Sequence, residues 1–329
     1  MRDKVNLARR AVQPIPEVSW RRAERTTILN IDALVLIGGC LLLGWLVARL
    51  GKAPPALSQH LNWWVLNIAL PALVMELIPH VRLDSHLWFL PVSMWLVFLG
   101  GWGVAVLLGA WLGWTRARVG AVALCAGLGN TALVGFPLIE ALRGKEGLAL
   151  AAFTDQLGCL IALAVGGITV AAFYSGSKPE PRVILRRVLL FPAFLGLIAG
   201  FIASAAGGWP PVIETFVARI GATLTPVALF SIGLQFTLHL DRSRLGAAAL
   251  ALGWKLAVAP LLIYLLGRAV GASGLVLTVS VLEAAMAPMV STAILAAEYH
   301  LDREVATMAL GAGLVLSLLS VPWMAHLLP

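Results

Sequence analysis

Long apolar runs separated by short polar punctuation fill the chain from residue 29 to its end. A run of about 20 apolar residues is long enough to cross a bilayer as a helix. Ten can be counted, near 29–50, 60–79, 87–112, 117–141, 148–173, 188–206, 212–238, 245–270, 274–297 and 304–327. Two of the ten are not uniform. The fourth is interrupted by Gly129-Asn130-Thr131-Ala132-Leu133-Val134-Gly135-Phe136-Pro137, the ninth by Glu283-Ala284-Ala285-Met286-Ala287-Pro288-Met289-Val290-Ser291-Thr292. A helix that breaks its hydrogen-bond ladder in hydrocarbon is tolerated only where protein or a wet cavity satisfies the freed groups. A matched pair of breaks, one in each half, points to a binding site near the midplane.

The polar connector Tyr174 to Arg187 divides the runs into five and five. The halves echo each other at an offset of about 150 residues: Leu70-Pro71-Ala72-Leu73 against Thr225-Pro226-Val227-Ala228-Leu229, and Pro137 against Pro288. An odd number of spans per half inserts the second half upside down. The expected fold is therefore an all-α integral membrane protein of ten transmembrane helices in two inverted five-helix repeats, with spans 4 and 9 broken and crossed. The expected organisation is a basic tail (1–27), a first repeat (28–173), a cytoplasmic linker (174–187) and a second repeat (188–329).

Composition agrees with a membrane protein: 60% of residues are hydrophobic, only 12% are charged, and mean hydropathy is +0.91. The net charge of +8 reads as cytoplasmic connectors rather than a nucleic-acid surface. Arg49, Lys52, Arg116, Arg118, Lys178, Arg182, Arg186, Arg187, Arg242, Arg244 and Arg303 surround the odd-numbered connectors. The even-numbered ones carry only Arg82, Arg143, Lys145 and Arg268. This asymmetry puts both termini outside, against the pull of the basic tail, so translation is expected to begin near Leu29. Gly38-Gly39-Cys40 is not read as a lipoprotein cleavage site, because the apolar run continues past it. Cys40, Cys125 and Cys159 read as buried apolar side chains, with no metal-ligand spacing.

Chemistry concentrates at the two breaks and at three deep charges. Asn130 and Thr131 offer donors and acceptors roughly 20 Å into span four, and the half-helix after them presents free N–H groups to an anion. Their structural alternative is hydrogen bonding to a neighbouring span. Pro288 frees carbonyls that can hold a cation, with Ser291 and Thr292 following as hydroxyl ligands. Asp155, Lys255 and Glu283 lie deep in their spans, where a charge costs at least about 2.5–3.5 kcal/mol. Lys255 should pair with Asp155 or Glu283, leaving the other carboxylate to bind a proton or Na⁺; Gln156 could add a ligand. A purely structural ion pair is the alternative. Glu76, Glu140 and Arg219, nearer span ends, read as snorkelling.

Three stretches resemble the auxin efflux carrier family: Asn130 to Ile139 in span four, Thr225 to Leu234 in span seven, and Ala284 to Met289 with Ala296-Ala297-Glu298-Tyr299 in span nine. The resemblance covers about 29–329. It implies a scaffold of spans 1, 2, 6 and 7, and a transport domain of spans 3–5 and 8–10. It also implies substrate held where the broken helices cross, and an elevator-like movement. On this basis Gly129, Asn130, Thr131, Met286, Ala287 and Pro288 are the expected substrate site. Asp155, Gln156, Lys255, Glu283, Ser291 and Thr292 are the expected ion-coupling set. Bacterial members are commonly labelled malonate or malate permeases, and plant members export auxin. The chain departs from the plant pattern in Gly129, where plant carriers have proline, in the register of Pro288 and in its short central connector, all of which argue against auxin itself.

The expected function is secondary transport of a small organic anion such as malonate or malate across a bacterial inner membrane, coupled to H⁺ or Na⁺, with no cofactor and no enzyme chemistry. A homodimer is left open. The alternative is a cation/proton antiporter of the same architecture.

Overall fold

A computed structural model describes residues 31–51, 53–81, 85–178, 181–236 and 241–328, and statements of absence below refer to these. The basic tail, Leu29, Lys52 and Arg82 lie outside them, as do the side chains of residues 31–34, Val183 and Arg187. The described residues are helical throughout, with no β-strand. In chain order the helices are α1 (Ile31–Arg49), α2 (Leu57–His80), α3 (Phe89–Trp111), α4 (Arg116–Gly127), α5 (131–143), α6 (145–175), α7 (Pro181–Leu189), α8 (Pro192–Ala205), α9 (Pro211–Gln235), α10 (Arg242–Ala269), α11 (Gly274–Ala284), α12 (Val290–Glu298) and α13 (Arg303–Leu327).

Six stretches are long and apolar enough to cross a membrane: Leu57–His80, Phe89–Trp111, Thr131–Ser175, Pro211–Gln235, Arg242–Ala269 and Arg303–Leu327. Three further apolar helices are shorter: Val35–Arg49, Pro192–Ala205 and Gly274–Ala284. The 45 residues of Thr131–Ser175 would extend roughly 68 Å as one helix, about twice a bilayer core. Gly144, at φ 66° and ψ −167°, divides it into α5 and α6; a side chain there would strain the backbone. The expected polar linker is partly helical. In α7, Arg182 and Arg186 alternate with apolar residues, and Ile184 packs on the core, the pattern of a helix lying in a membrane interface.

Prolines shape these helices in a recurring way. π-turns at Val65–Ala69, Thr131–Gly135 and Trp254–Val258 each end two residues before a proline: Pro71, Pro137 and Pro260. A helical proline lacks its N–H and clashes with the carbonyl four residues back. Widening the preceding turn relieves that clash.

Large apolar side chains cover the outside; Leu107 is 72% and Trp111 81% exposed. Inside, two apolar clusters divide the broken helices. The residues of α4 and α12 pack with α3, α10 and the first half of α13, whereas α5 packs with α2, α8 and α9. Close approach ties α1 to α9: a Cβ on Gly44 would stand 2.2 Å from the Phe230 carbonyl oxygen, and one on Gly233 2.3 Å from that of Leu41. At one end of the molecule, Asp302 receives Arg118 Nε at 3.1 Å and Arg244 Nε at 3.2 Å, joining the starts of α4, α10 and α13. Arg244 also pairs with Asp241 and, at 2.7 Å, with Glu304.

Candidate functional site

Helix α4, capped by the Thr115 hydroxyl, stops at Gly127, and Leu128 is extended. Helix α11 stops at Ala284, and Met289 is extended before α12. The two unwound stretches lie antiparallel, with Gly129 opposite Pro288. The Asn130 amide donates to the Ala287 carbonyl at 2.7 Å, and the Met289 amide to the Leu128 carbonyl at 3.1 Å. Each break thus satisfies the other's backbone. Neither Gly129 nor Pro288 supplies an amide to this pairing, so the missing proline N–H costs no cross-bond.

Asn130 caps α5: its Oδ1 accepts from the Leu133 amide at 3.2 Å. Asn130, Ala287 and Val290 line a cavity of about 120 Å³, with Gln235 and Phe236 from the end of α9 and Thr307, Leu310 and Leu314 from α13. The starts of α5 and α12 therefore both border one small space. The first amides of a helix lack intrahelical acceptors and carry partial positive charge. Met286, by contrast, is wholly buried in the apolar core and does not line this cavity.

Behind the crossing lies a set of buried polar groups. The Thr131 hydroxyl donates to Asp155 Oδ1, and Gln156 Nε2 donates to Asp155 Oδ2 at 2.7 Å. Both carboxylate oxygens of Asp155 thus have donors. Glu283, 0% exposed, has a hydrogen-bond partner on neither oxygen, and Gln156 Oε1 is equally unpartnered. The Glu283 carboxylate rests on Gly135, where a Cβ would stand 2.9 Å from Oε2. Lys255, 1% exposed, rests on Gly129, where a Cβ would stand 2.8 Å from Nζ.

The expected ion pair of Lys255 with Asp155 or Glu283 is absent; no oxygen of either carboxylate accepts from the ammonium. The reason is local: the π-turn Trp254–Val258 carries Lys255, and glycine at 129 leaves room for its ammonium there. Nor do the hydroxyls after Pro288 join the charged set. Thr292 donates to the Met289 carbonyl at 2.7 Å and accepts from Cys125 Sγ at 3.7 Å, which ties α12 to α4. Ser291 is half-buried and makes no side-chain hydrogen bond. Among the described residues no three His, Cys, Asp or Glu side chains converge as a metal site.

Sequence reasoning missed Gln235 and Thr307. Gln235 directly follows the Thr225–Leu234 motif, so its place in the cavity was one residue away from a recognised signal. Its Nε2 donates to Ser231 Oγ at 3.1 Å, and Ser231 to Asn62 Oδ1 at 2.7 Å. The chemistry around Glu76 and Glu140 was also underestimated. They border a cavity of about 380 Å³ between α2, α5 and α9, with Lys145 Nζ 3.1 Å from Glu76 Oε1 and Thr225 Oγ1 donating to Glu140 Oε2 at 3.4 Å.

Comparison with known proteins agrees with this picture of a transporter. Residues 31–325 match the family described as membrane transport protein. An "Uncharacterized transporter" of the archaeon Methanothermobacter thermautotrophicus is 26% identical over 298 residues, covering 90% of this chain and 95% of the relative. A second, from Methanocaldococcus jannaschii, is 24% identical over 283 residues, 84% of this chain and 91% of the relative. A protein of Rhizobium meliloti named "Putative malonate transporter" is 27% identical over 257 residues, 72% of this chain and 76% of the relative.

Proposed function

Since the chain belongs to the membrane transport protein family, that of the auxin efflux carriers, we propose that it is a secondary carrier of a small organic anion, a short carboxylate such as malonate. The observation that carries this reading is the cavity at the crossing, bordered by the starts of two half-helices. Two helix N-termini bordering one space favour an anion there. The volume of about 120 Å³ is the scale of a small organic acid rather than of a large substrate. The name of the rhizobial relative points to the same substrate class.

In this reading twelve of the thirteen helices form ten spans in two inverted repeats, with α4–α5 and α11–α12 as the crossed broken spans and α7 in the interface between the halves. Helices α1, α2, α8 and α9 act as scaffold, against which the others carry the site across. The cavity at Asn130 lies toward the basic starts of α10 and α13, the cytoplasmic side by the positive-inside rule, so this state faces inward. The larger cavity at Glu76 and Glu140 lies on the opposite side of the crossing and serves as the outer vestibule. The cell's inner membrane is the natural location. A thermal-shift screen of the purified protein against two- to six-carbon acids tests the reading: short carboxylates should raise the midpoint by mass action, and failure of every one would overturn it.

One observation favours a second reading. A buried, unpartnered Glu283 is also what a cation/proton antiporter would carry. Ion-driven pH change in vesicles without any organic anion would select that reading.

A further inference from the structure

We propose that Glu283 carries the coupling proton of this transporter and that Lys255 is the fixed counter-charge of its anion, making it a proton–anion symporter with no Na⁺ requirement. The inference rests on the anion-transport reading above and names the coupling ion that reading leaves open.

The argument starts from donors. Asp155 has a donor on each oxygen, from Thr131 and Gln156, so its negative charge is compensated where it stands. Glu283 is equally buried and has none. A buried carboxylate with neither donor nor contacting cation is costly, and a proton removes that cost. The neighbouring elements offer no other solution. Helix α6 faces Glu283 with Asp155 and Cys159, and α10 with Lys255. From α5 it meets Gly135. Helix α3 contains no titratable residue, and those of α13 are confined to its ends at Arg303, Glu304 and His326.

Charge counting then links the proton to the anion. With Lys255 positive and both carboxylates ionised, the buried set carries a net charge of −1, which repels an arriving anion. One proton on Glu283 makes it neutral. Lys255 meanwhile lies against Gly129, the residue immediately before the Asn130 cap, so its charge acts on the cavity through a backbone without a side chain. An ammonium already resident there also opposes entry of a second cation. The stoichiometry balances for a monoanion: one proton binds Glu283 as one singly charged acid, such as hydrogen malonate, enters at the half-helix starts. Both leave on the other side.

The test has a ligand-free arm and a transport arm. In the first, infrared spectroscopy of the purified protein in lipid follows the protonated-carboxyl C=O band. Wild type should show a band that titrates reversibly with the same midpoint in Na⁺ and choline buffers, and that Glu283→Gln removes at unchanged thermal midpoint. A band untouched by Glu283→Gln, or one that Na⁺ depletes, overturns the proposal. In the second arm, proteoliposomes take up radiolabelled malonate. An inward proton gradient alone should accelerate uptake, an Na⁺ gradient should not, and Glu283→Gln should abolish the proton response. Lys255→Gln should raise KM for malonate about tenfold, the loss of a through-space attraction equivalent to about 1.4 kcal/mol, with a smaller change in kcat. Malonate uptake driven by Na⁺ and indifferent to protons overturns the proposal. Titration of the Glu283 band without transport of any carboxylate would leave the proton site standing and defeat the anion-carrier reading.

Discussion

The amide of Asn130 donates to the carbonyl of Ala287 across 2.7 Å, joining two helix breaks that lie 157 positions apart in the chain. This bond does two things. It removes the penalty for unwinding α4 and α11 inside the protein, and it fixes the starts of α5 and α12 beside one cavity. Structure and proposed binding site therefore share the same backbone atoms.

Gly129→Ala should impair transport more than folding. The new Cβ would stand 2.8 Å from Lys255 Nζ, and the lysine's flexible end can retreat, taking its charge from behind the cavity. Malonate affinity measured by calorimetry should fall, while the thermal midpoint of the empty protein changes little. Unchanged affinity would mean that the ammonium's position does not matter.

Cavity size should set substrate size. Val290→Phe fills space beside the α12 start and should exclude four-carbon acids before three-carbon ones. Leu310→Ala, on the wall that α13 supplies, should admit longer acids. Competition by a graded series of dicarboxylates against radiolabelled malonate reads both shifts, and identical selectivity in the two variants would contradict the site.

Asp302→Ala should destabilise without touching the site. Its carboxylate holds Arg118 and Arg244 and caps α13 through the Val305 amide at 3.3 Å. Charged hydrogen bonds of this kind contribute about 1.5–3 kcal/mol, so the thermal midpoint should drop by several degrees while malonate KM in reconstituted protein stays the same.

Asp241 gives a pH effect outside the membrane. The Ser243 amide and hydroxyl, then Arg244, hold its carboxyl below the usual carboxylate range. A lowered folded value means that this cap stabilises α10 fully above the ordinary value. The contribution is lost as pH falls through the lowered one. Hydrogen exchange at the start of α10 should rise in acid, and Asp241→Asn should remove that dependence.

Much of this was legible in the sequence because membrane insertion leaves few solutions. Only helices and closed barrels span a bilayer, and apolar runs of about 20 residues fit helices, so run length located them. Proline and glycine within two runs marked the breaks at Asn130 and Pro288. The partnership of Lys255 was not legible. A buried cation predicts a carboxylate partner, but which way the side chain turns depends on the local π-turn and on the space at Gly129, two features in separate halves of the chain. Gln235 and Thr307 were missed for a related reason. They sit in ordinary-looking helices and acquire meaning only when α9 and α13 converge on the crossing. Thr292 looked like an ion ligand by type and spacing, yet its hydroxyl is spent on Met289 and Cys125.

The central claim, that the crossing is where the anion binds, is tested most directly by malonate uptake into proteoliposomes containing wild type or Asn130→Ala. Loss of the cap contact should cost about 1 kcal/mol of stability, leaving a folded, inserted protein. The account predicts saturable uptake by wild type and none above background by Asn130→Ala. Wild-type uptake by the variant would contradict it.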